Sequence, residues 1–363
     1  MLLERLDLKN LLSFKNASVD LRPLNILIGE NTAGKSNLIE AVGLLQALPT
    51  DFRVAILRGG GIRFWLWLGD REAPPTIATL AGTIDGLAYS MEFAESAGGL
   101  AMLHESLTEG DTKYFDRNAM PNGFRPNPTD SIFALMKIPS DPTPVTRVGR
   151  RLDQIRIYRE FQTGIRSGSR QGVSSSVQGD YLVDDGDNLA MVLQELNFRE
   201  AHENIRQYVN RFSDRISDVA VKLDGGIAKA YLREKGLLEP LPSARMSDGT
   251  LKFLCLLAVL LHPDPPPLVC IEEPEQGLHP DAIQILAQVL RDASERMQLI
   301  VTTHSEALID AFSDAPECIL VCERDKDGGT QCRRLTGEQL EHWLQRYSLG
   351  QLWRKGEIGG NRW

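Results

Sequence analysis

An α/β fold with a parallel sheet at its centre is what this sequence predicts, on three observations. Residues 29–36 read Gly-Glu-Asn-Thr-Ala-Gly-Lys-Ser, the P-loop spacing of a glycine, four free positions and Gly-Lys-Ser. Three apolar runs of strand length, 25–28, 268–271 and 298–303, each end in a polar turn that leads into a helical period. A series of alternating segments punctuated by Asp-Gly pairs predicts a β-rich antiparallel edge beside that centre.

In chain order, residues 2–8 and 17–21 read as strands joined by 9–16. Phe14 and Lys15 stand where an adenine would stack, although a core position is the preferred reading of Phe14. Residues 25–28 (Asn-Ile-Leu-Ile) form the buried strand that feeds the loop. Leu38, Val42 and Leu45 then recur at helical spacing, so the loop closes onto a helix N-terminus whose free amides favour phosphate. Gly29 and Gly34 let the backbone wrap an anion, and Glu30, Asn31, Thr32 and Ala33 form the span between them. Lys35 is placed to reach the β and γ phosphates, Ser36 to ligate Mg²⁺, and Asn37 continues the first turn.

The helix ends near Pro49, and the glycines at 59–61 predict a flexible break before the apolar run 64–68. Segments 76–83 and 87–93 flank Asp85-Gly86, and 100–107 and 113–116 flank Glu109-Gly110-Asp111, so 62–118 reads as an antiparallel meander. Residues 119–146 carry Pro121, Pro126, Pro128, Pro139, Pro142 and Pro144, which suits loops around one short helix near 131–136. A strand is expected over 152–161 and a mobile Gly/Ser/Gln-rich loop over 162–187. Helix follows over 188–212, then a hairpin of 219–223 and 228–232 on Asp224-Gly225-Gly226.

Ser247, Asp248, Gly249 and Thr250 open a nearly all-apolar helix, 251–261, and form a second anion-binding end. One γ-phosphate has little room for two helix ends, so this one is read as acting on a nucleotide held by another copy. Strand 268–271 ends on Glu272-Glu273, and burying paired carboxylates is costly without a cation. A Mg²⁺-nucleotide removes the cost: Glu272 is assigned to the metal and Glu273 to orienting or deprotonating the attacking water. After a turn at 274–280 and a helix to about 297, strand 298–303 ends on His304, read as the group that contacts the γ-phosphate. A hairpin of 318–323 and 331–335, a helical piece at 337–353 and a loose tail from Lys355 complete the chain.

Composition narrows the class. With 363 residues, ordinary apolar and charged fractions and no apolar run near the ~20 residues a span requires, the expectation is a soluble cytoplasmic protein. Cys255, Cys270, Cys318, Cys322 and Cys332 form no Cys-x-x-Cys pair and read as reduced core thiols. The net charge of −9 argues against a uniformly basic coat. One basic stretch remains: Arg147, Arg150, Arg151, Arg156, Arg159, Arg166 and Arg170 face only Asp153 and Glu160. It reads equally as a phosphate-backbone (DNA) contact or as ion pairs to the acidic remainder.

Taken in order, residues 29–36, 247–250, 268–273, 277–279 and His304 resemble the Walker A, signature, Walker B, D-loop and switch-histidine elements of ABC-type ATPases. Leu8-Lys9-Asn10 with Phe14, and the block Glu-Glu-Pro-Glu-Gln-Gly-Leu-His-Pro at 272–280, resemble the RecF/SMC-related AAA-family ATPases and the ATPase half of the OLD family. The resemblance implies a P-loop NTPase head with a small helical subdomain, binding ATP and Mg²⁺ and closing as a head-to-tail homodimer. It divides 1–363 into a Walker A lobe (1–60), a β-rich insertion (61–161), a loop plus helical subdomain (162–240), a signature, Walker B and histidine lobe (241–335) and a C-terminal helix and tail (336–363). Asp248 stands where transporters have Gly and Glu272 where Asp is commoner; a Q-loop glutamine is not identifiable, with Gln162 and Gln171 as candidates. No Toprim nuclease domain is expected after the head. The implied function is an ATP-gated dimer regulating a separately encoded nuclease or toxin in bacterial anti-phage defence or DNA maintenance. The alternative is an ATP-dependent scaffold or DNA-binding module with slow turnover, and a membrane transporter is disfavoured.

Overall fold

The computed structural model describes residues 1–69, 76–120, 124–136, 143–199 and 201–359, the side chain at 341 excepted. The chain opens on an antiparallel pair, β1 (Leu3–Leu11) and β2 (Phe14–Asp20), and enters its centre on β3 (Leu24–Gly29). All six residues of β3 are buried, as a strand covered on both faces requires. Phe14 is fully buried and takes the core position.

Helix α1 (Lys35–Ala47) follows the loop directly. Where the glycines at 59–61 pointed only to a break, they separate two short helices, α2 (Phe52–Arg58) and α3 (Ile62–Trp65). Asp51 caps α2 through the Val54 amide, a local signal that a seven-residue period does not reveal. The apolar run beyond is divided, with Trp65, Leu66 and Trp67 buried and Phe64 and Leu68 facing solvent.

The meander is β4 (Ile77–Ile84), β5 (Leu87–Ser96), β6 (Gly99–Glu109) and β7 (Thr112–Asp116). Asp85 and Gly86 both take positive φ, as a tight two-residue hairpin demands. Because β4 also pairs with β1, the meander extends the opening strands into one six-stranded sheet, β2-β1-β4-β5-β6-β7. The expected short helix is α4 (Ile132–Leu135). A second one, α5 (Pro144–Asp153), stands where loop was expected, started by Thr143 as cap and Pro144 in its first turn. It confines the strand expected over 152–161 to β8 (Arg156–Tyr158). Pro121, Pro139 and Pro142 lie outside the described residues.

Residues 162–187, expected as a mobile loop, carry α6 (Gly168–Gln171) and β9 (Val173–Ser174). The Gln162 amide donates to the Asp185 carbonyl at 2.8 Å and the Gly168 amide to Asp187 Oδ1 at 2.7 Å, so this Gly/Ser-rich stretch is held by its own polar groups. The helical stretch is two helices, α7 (Leu189–Phe198) and α8 (His202–Phe212). A second sheet holds β10 (Ile216–Asp224), β11 (Ile227–Glu234) and β12 (Leu241–Pro242), with β9 pairing β11.

The last third supplies α9 (Asp248–Leu260), β13 (Leu268–Glu272), α10 (Pro280–Ser294), β14 (Gln298–Thr302), α11 (Glu306–Asp310), β15 (Ile319–Arg324) and β16 (Thr330–Arg334). The third sheet runs β16-β15-β3-β14-β13-β8, parallel except for β16. The C-terminal helical piece is divided into α12 (Gly337–Leu344) and α13 (Leu349–Arg354). Ile358, in the tail expected to be loose, is buried, and residues 360–363 lie outside the described ones.

Successive residues of β3 belong to different cores. Ile26 and Ile28 belong to the core that also holds α9 residues such as Leu254 and Leu257, whereas Leu27 belongs to the core that holds α1 residues such as Leu38 and Val42. Since β3, β13 and β14 are parallel neighbours, the turns after them open on one edge of the sheet, the place where parallel α/β sheets bind ligands.

Candidate functional site

At that edge lies a cleft of about 310 Å³ lined by Asn31, Thr32, Gly34, Lys35, Ser36, Asn37, Glu273, Thr302, His304 and Arg324. The P-loop is held tightly from behind. A Cβ on Gly29 would fall 2.4 Å from the Cys322 carbonyl oxygen, and one on Gly34, at φ 100°, would fall 2.2 Å from Thr330 Oγ1. No side chain caps α1 and no acid occupies its first turn, so its leading amides are left for an anion. Lys35 folds back over the loop, donating to the carbonyls of Gly29 at 2.8 Å and Glu30 at 3.0 Å. Burial lowers the Lys35 ammonium below its ordinary value, with the Cys322 thiol and Glu273 opposing.

Two of the predicted residues touch. Ser36 Oγ donates to Glu272 Oε2 at 2.8 Å, and the other oxygen of Glu272 meets Arg159 Nη1 at 3.1 Å. Arg159 also pairs with Glu40 at 2.7 Å. A hydroxyl and a carboxylate side by side are hard oxygen donors that suit Mg²⁺, an ion that keeps most of its shell as water and phosphate. Among the described residues no cluster of three or more His, Cys, Asp or Glu gathers to hold a metal, so such an ion would depend on the nucleotide for its remaining ligands.

Glu273 has left-handed backbone, φ 45°, and its amide is bonded to the Thr302 carbonyl at 3.0 Å. Its carboxylate accepts from Gln276, and its Oε1 lies 3.8 Å from His304 Nε2. Burial, then the nearby Lys35, lower the pKa of His304, while Glu273 opposes both. Glu275, which sequence reasoning passed over, fixes this corner: its Oε1 accepts from Thr303 Oγ1 at 2.6 Å and from the His304 amide at 3.2 Å. Its Oε2 is buried with no hydrogen-bond partner, and burial raises its pKa. Lys252 was also missed; its Nζ reaches the Glu273 carbonyl at 3.3 Å. The readable clue to Glu275 is a third acid in a turn closing over a buried strand end. The sequence marks Arg159 only as one member of the basic stretch and does not point to Lys252; their places beside Glu272 and Glu273 depend on which elements meet.

Other expected residues lie elsewhere. Ser247, Asp248, Gly249 and Thr250 begin α9 outside the cleft lining, and Ser247 Oγ accepts from the Thr250 amide at 3.1 Å. Gln162 and Gln171 do not line the cleft either; Gln171 Nε2 donates to the Ile165 carbonyl. Within the arginine stretch several side chains are engaged by acids or carbonyls of the chain, while Arg150 and Arg166 face solvent. Arg147 and Arg151 pair with Asp85, Arg156 donates to the carbonyls of Asp153 and Ile155, Arg159 is engaged as above, and Arg170 pairs with Asp248. The ion-pair alternative therefore accounts for four of the seven, Arg147, Arg151, Arg159 and Arg170. Lys15 pairs with Asp327 at 2.8 Å. All five cysteines are free, and among the described residues no helix is long and apolar enough to cross a membrane.

The family described as "AAA domain, putative AbiEii toxin, Type IV TA system" matches residues 122–310, and one described as "Protein of unknown function (DUF2813)" matches residues 1–53. The chain is 20% identical to an ATP/GTP phosphatase of Helicobacter pylori over 95% of its own length and 98% of that protein's. It is 25% identical to the Old nuclease of Escherichia phage P2 over 96% of its length, and spans 64% of that nuclease. An SMC head crystallised with the C-winged helix domain of ScpA shares its fold, with a TM-score of 0.61, 14% identity and coverage of 93% of this chain and 99% of that one. Built on a P-loop NTPase head of the RecF/SMC-related type, the chain belongs to the AAA-domain family whose description matches over half of its length.

Proposed function

We propose that the chain binds and hydrolyses ATP with Mg²⁺ and works as an ATP-gated head-to-tail dimer that regulates a partner effector. The observation that carries this reading is the convergence of the P-loop with Glu272, Glu273 and His304 at the ends of three parallel strands. The α1 amides and Lys35 hold the β and γ phosphates, Lys35 exchanging its two loop carbonyls for phosphate oxygens. Ser36 and Glu272 hold Mg²⁺, which when bound neutralises phosphate charge. Glu273 orients the attacking water and takes its proton, and His304, whose pKa burial lowers, contacts the γ-phosphate. The start of α9 meets the nucleotide of a second copy, so ATP joins two chains and its hydrolysis releases them.

The effector is read as a separately encoded nuclease or toxin in a defence or DNA-maintenance system, a reading supported by the Old nuclease relative and by the family description. The slow-turnover scaffold is the second reading, favoured by Gln276, whose hydrogen bond occupies one oxygen of Glu273. One experiment tests both: solution mass by light scattering with and without Mg²⁺-ATP, alongside phosphate release. With Glu273→Gln, phosphate release is expected to fall by about a hundredfold or more while ATP still drives monomer to dimer. A mass indifferent to ATP removes the gate; a dimer whose phosphate release does not depend on Glu273 leaves the scaffold.

A further inference from the structure

Arg170 lies in α6, and its side chain is only 11% exposed although it carries a charge. Burying a guanidinium is costly unless its donors are answered, and here they are answered from two separate parts of the chain. Nε donates to the Thr163 carbonyl at 2.8 Å, in the loop after β8. Nη1 donates to the Met246 carbonyl at 2.7 Å, with the Ala244 and Ser243 carbonyls at 3.3 and 3.5 Å. Nη2 meets Asp248 Oδ1 at 2.5 Å. In return, Ser243 Oγ donates to the Arg170 carbonyl at 2.8 Å. One side chain thus fastens residues 243–248, the whole approach to α9, to the segment that leaves the parallel sheet at β8.

The charge at that approach poses a problem which this contact answers. Asp248 is the first residue of α9 and its side chain is 75% exposed, so an acid stands where a helix end would otherwise attract an anion. An uncompensated carboxylate there would repel phosphate. Arg170 compensates that charge through its contact with Asp248 Oδ1.

We propose that Arg170 is a positioning residue of the α9 face: it fixes residues 243–248 and cancels Asp248, so that this face accepts the nucleotide phosphate of a second copy of the chain. The inference rests on the dimer reading above. A lysine does not reproduce it, because a single ammonium does not span four carbonyls and a carboxylate with the spread of a guanidinium.

The test uses full-length protein carrying Glu273→Gln, with dimer dissociation measured by light scattering in Mg²⁺-ATP and nucleotide binding by a fluorescent ATP analogue on dilute monomer. Arg170→Gln is expected to weaken dimerisation by about tenfold or more with analogue binding unchanged within about twofold, because the lost contacts lie outside the cleft. Adding Asp248→Asn to Arg170→Gln is expected to recover part of the loss, about threefold or more, since the bare charge is then gone. Asp248→Asn alone keeps the four carbonyl contacts and is expected to dimerise at least as tightly as the parent. Arg170→Gln dimerising like the parent overturns the proposal, as does Asp248→Asn alone dissociating the dimer or failing to relieve Arg170→Gln. A parent that stays monomeric in Mg²⁺-ATP overturns the dimer reading and this inference together, which separates that failure from one confined to Arg170.

Discussion

Glu105 in the antiparallel sheet and Glu275 beside the cleft are both buried glutamates whose pKa burial raises, yet their surroundings differ. Both oxygens of Glu105 are answered, by the Ser131 hydroxyl at 2.6 Å, the Tyr89 hydroxyl at 3.1 Å and the Ile132 amide at 2.7 Å, with Arg117 nearby. Glu275 has two donors on one oxygen and none on the other. The edge sheet uses its polar groups to hold itself, while the cleft keeps one uncommitted. Satisfied networks fix structure; a buried group left unanswered beside a cleft marks a place organised for something besides stability.

The largest effect that separates the two is on folding. Glu105→Ala strands a hydroxyl pair and an amide in the core, and a loss of about 3 kcal/mol in urea unfolding is expected, with phosphate release per folded molecule unchanged. A loss of turnover without a loss of stability would break the comparison. Glu275→Gln comes next. Its amide oxygen can still accept from Thr303 and the His304 amide while the buried charge disappears, so stability should hold within about 1 kcal/mol and phosphate release fall by roughly three- to tenfold. Destabilisation as large as that of Glu105→Ala would mean that the cleft acid is structural too. The smallest effect is at His304. Its folded pKa lies below the ordinary value near 6.5, so the unfolded chain binds the proton first and stability falls as pH drops through that value. In His304→Gln that part of the acid-side loss should disappear from melts between about pH 7 and 5; an unchanged slope would mean that the imidazole is not held neutral.

Much of this was legible in the chain because it is written locally. The P-loop, the Glu272-Glu273 strand end, the His304 strand end and the Asp-Gly hairpins each state themselves within ten residues, and each lies in the element expected of it. What stayed hidden was decided at a distance or by a single cap. The helix begun by Thr143 and Pro144 reads in the sequence as proline-rich loop, and the segment 162–187 as a mobile one, because its order comes from hydrogen bonds between its own ends. The arginines between 147 and 170 looked like one basic stripe, yet their partners, Asp85, Glu40, Glu272 and Asp248, come from four parts of the chain. Charge spacing shows how many cations there are; which acids answer them depends on topology.

The strand order of the central sheet also sets when the site can exist. β3 precedes the P-loop, but both its neighbours, β14 and β15, come from the last third of the chain, and Asn25 reaches across 274 residues to the Leu299 carbonyl. A chain emerging from the ribosome therefore carries a largely apolar strand and a finished nucleotide motif long before either has a partner to pair with. Closing such distant contacts is slow, and an unpaired apolar edge is open to wrong association in the meantime. Synthesis of the intact protein should accordingly lean on chaperones that shield that strand, and fragments ending before β14 should accumulate as insoluble material however complete their P-loop.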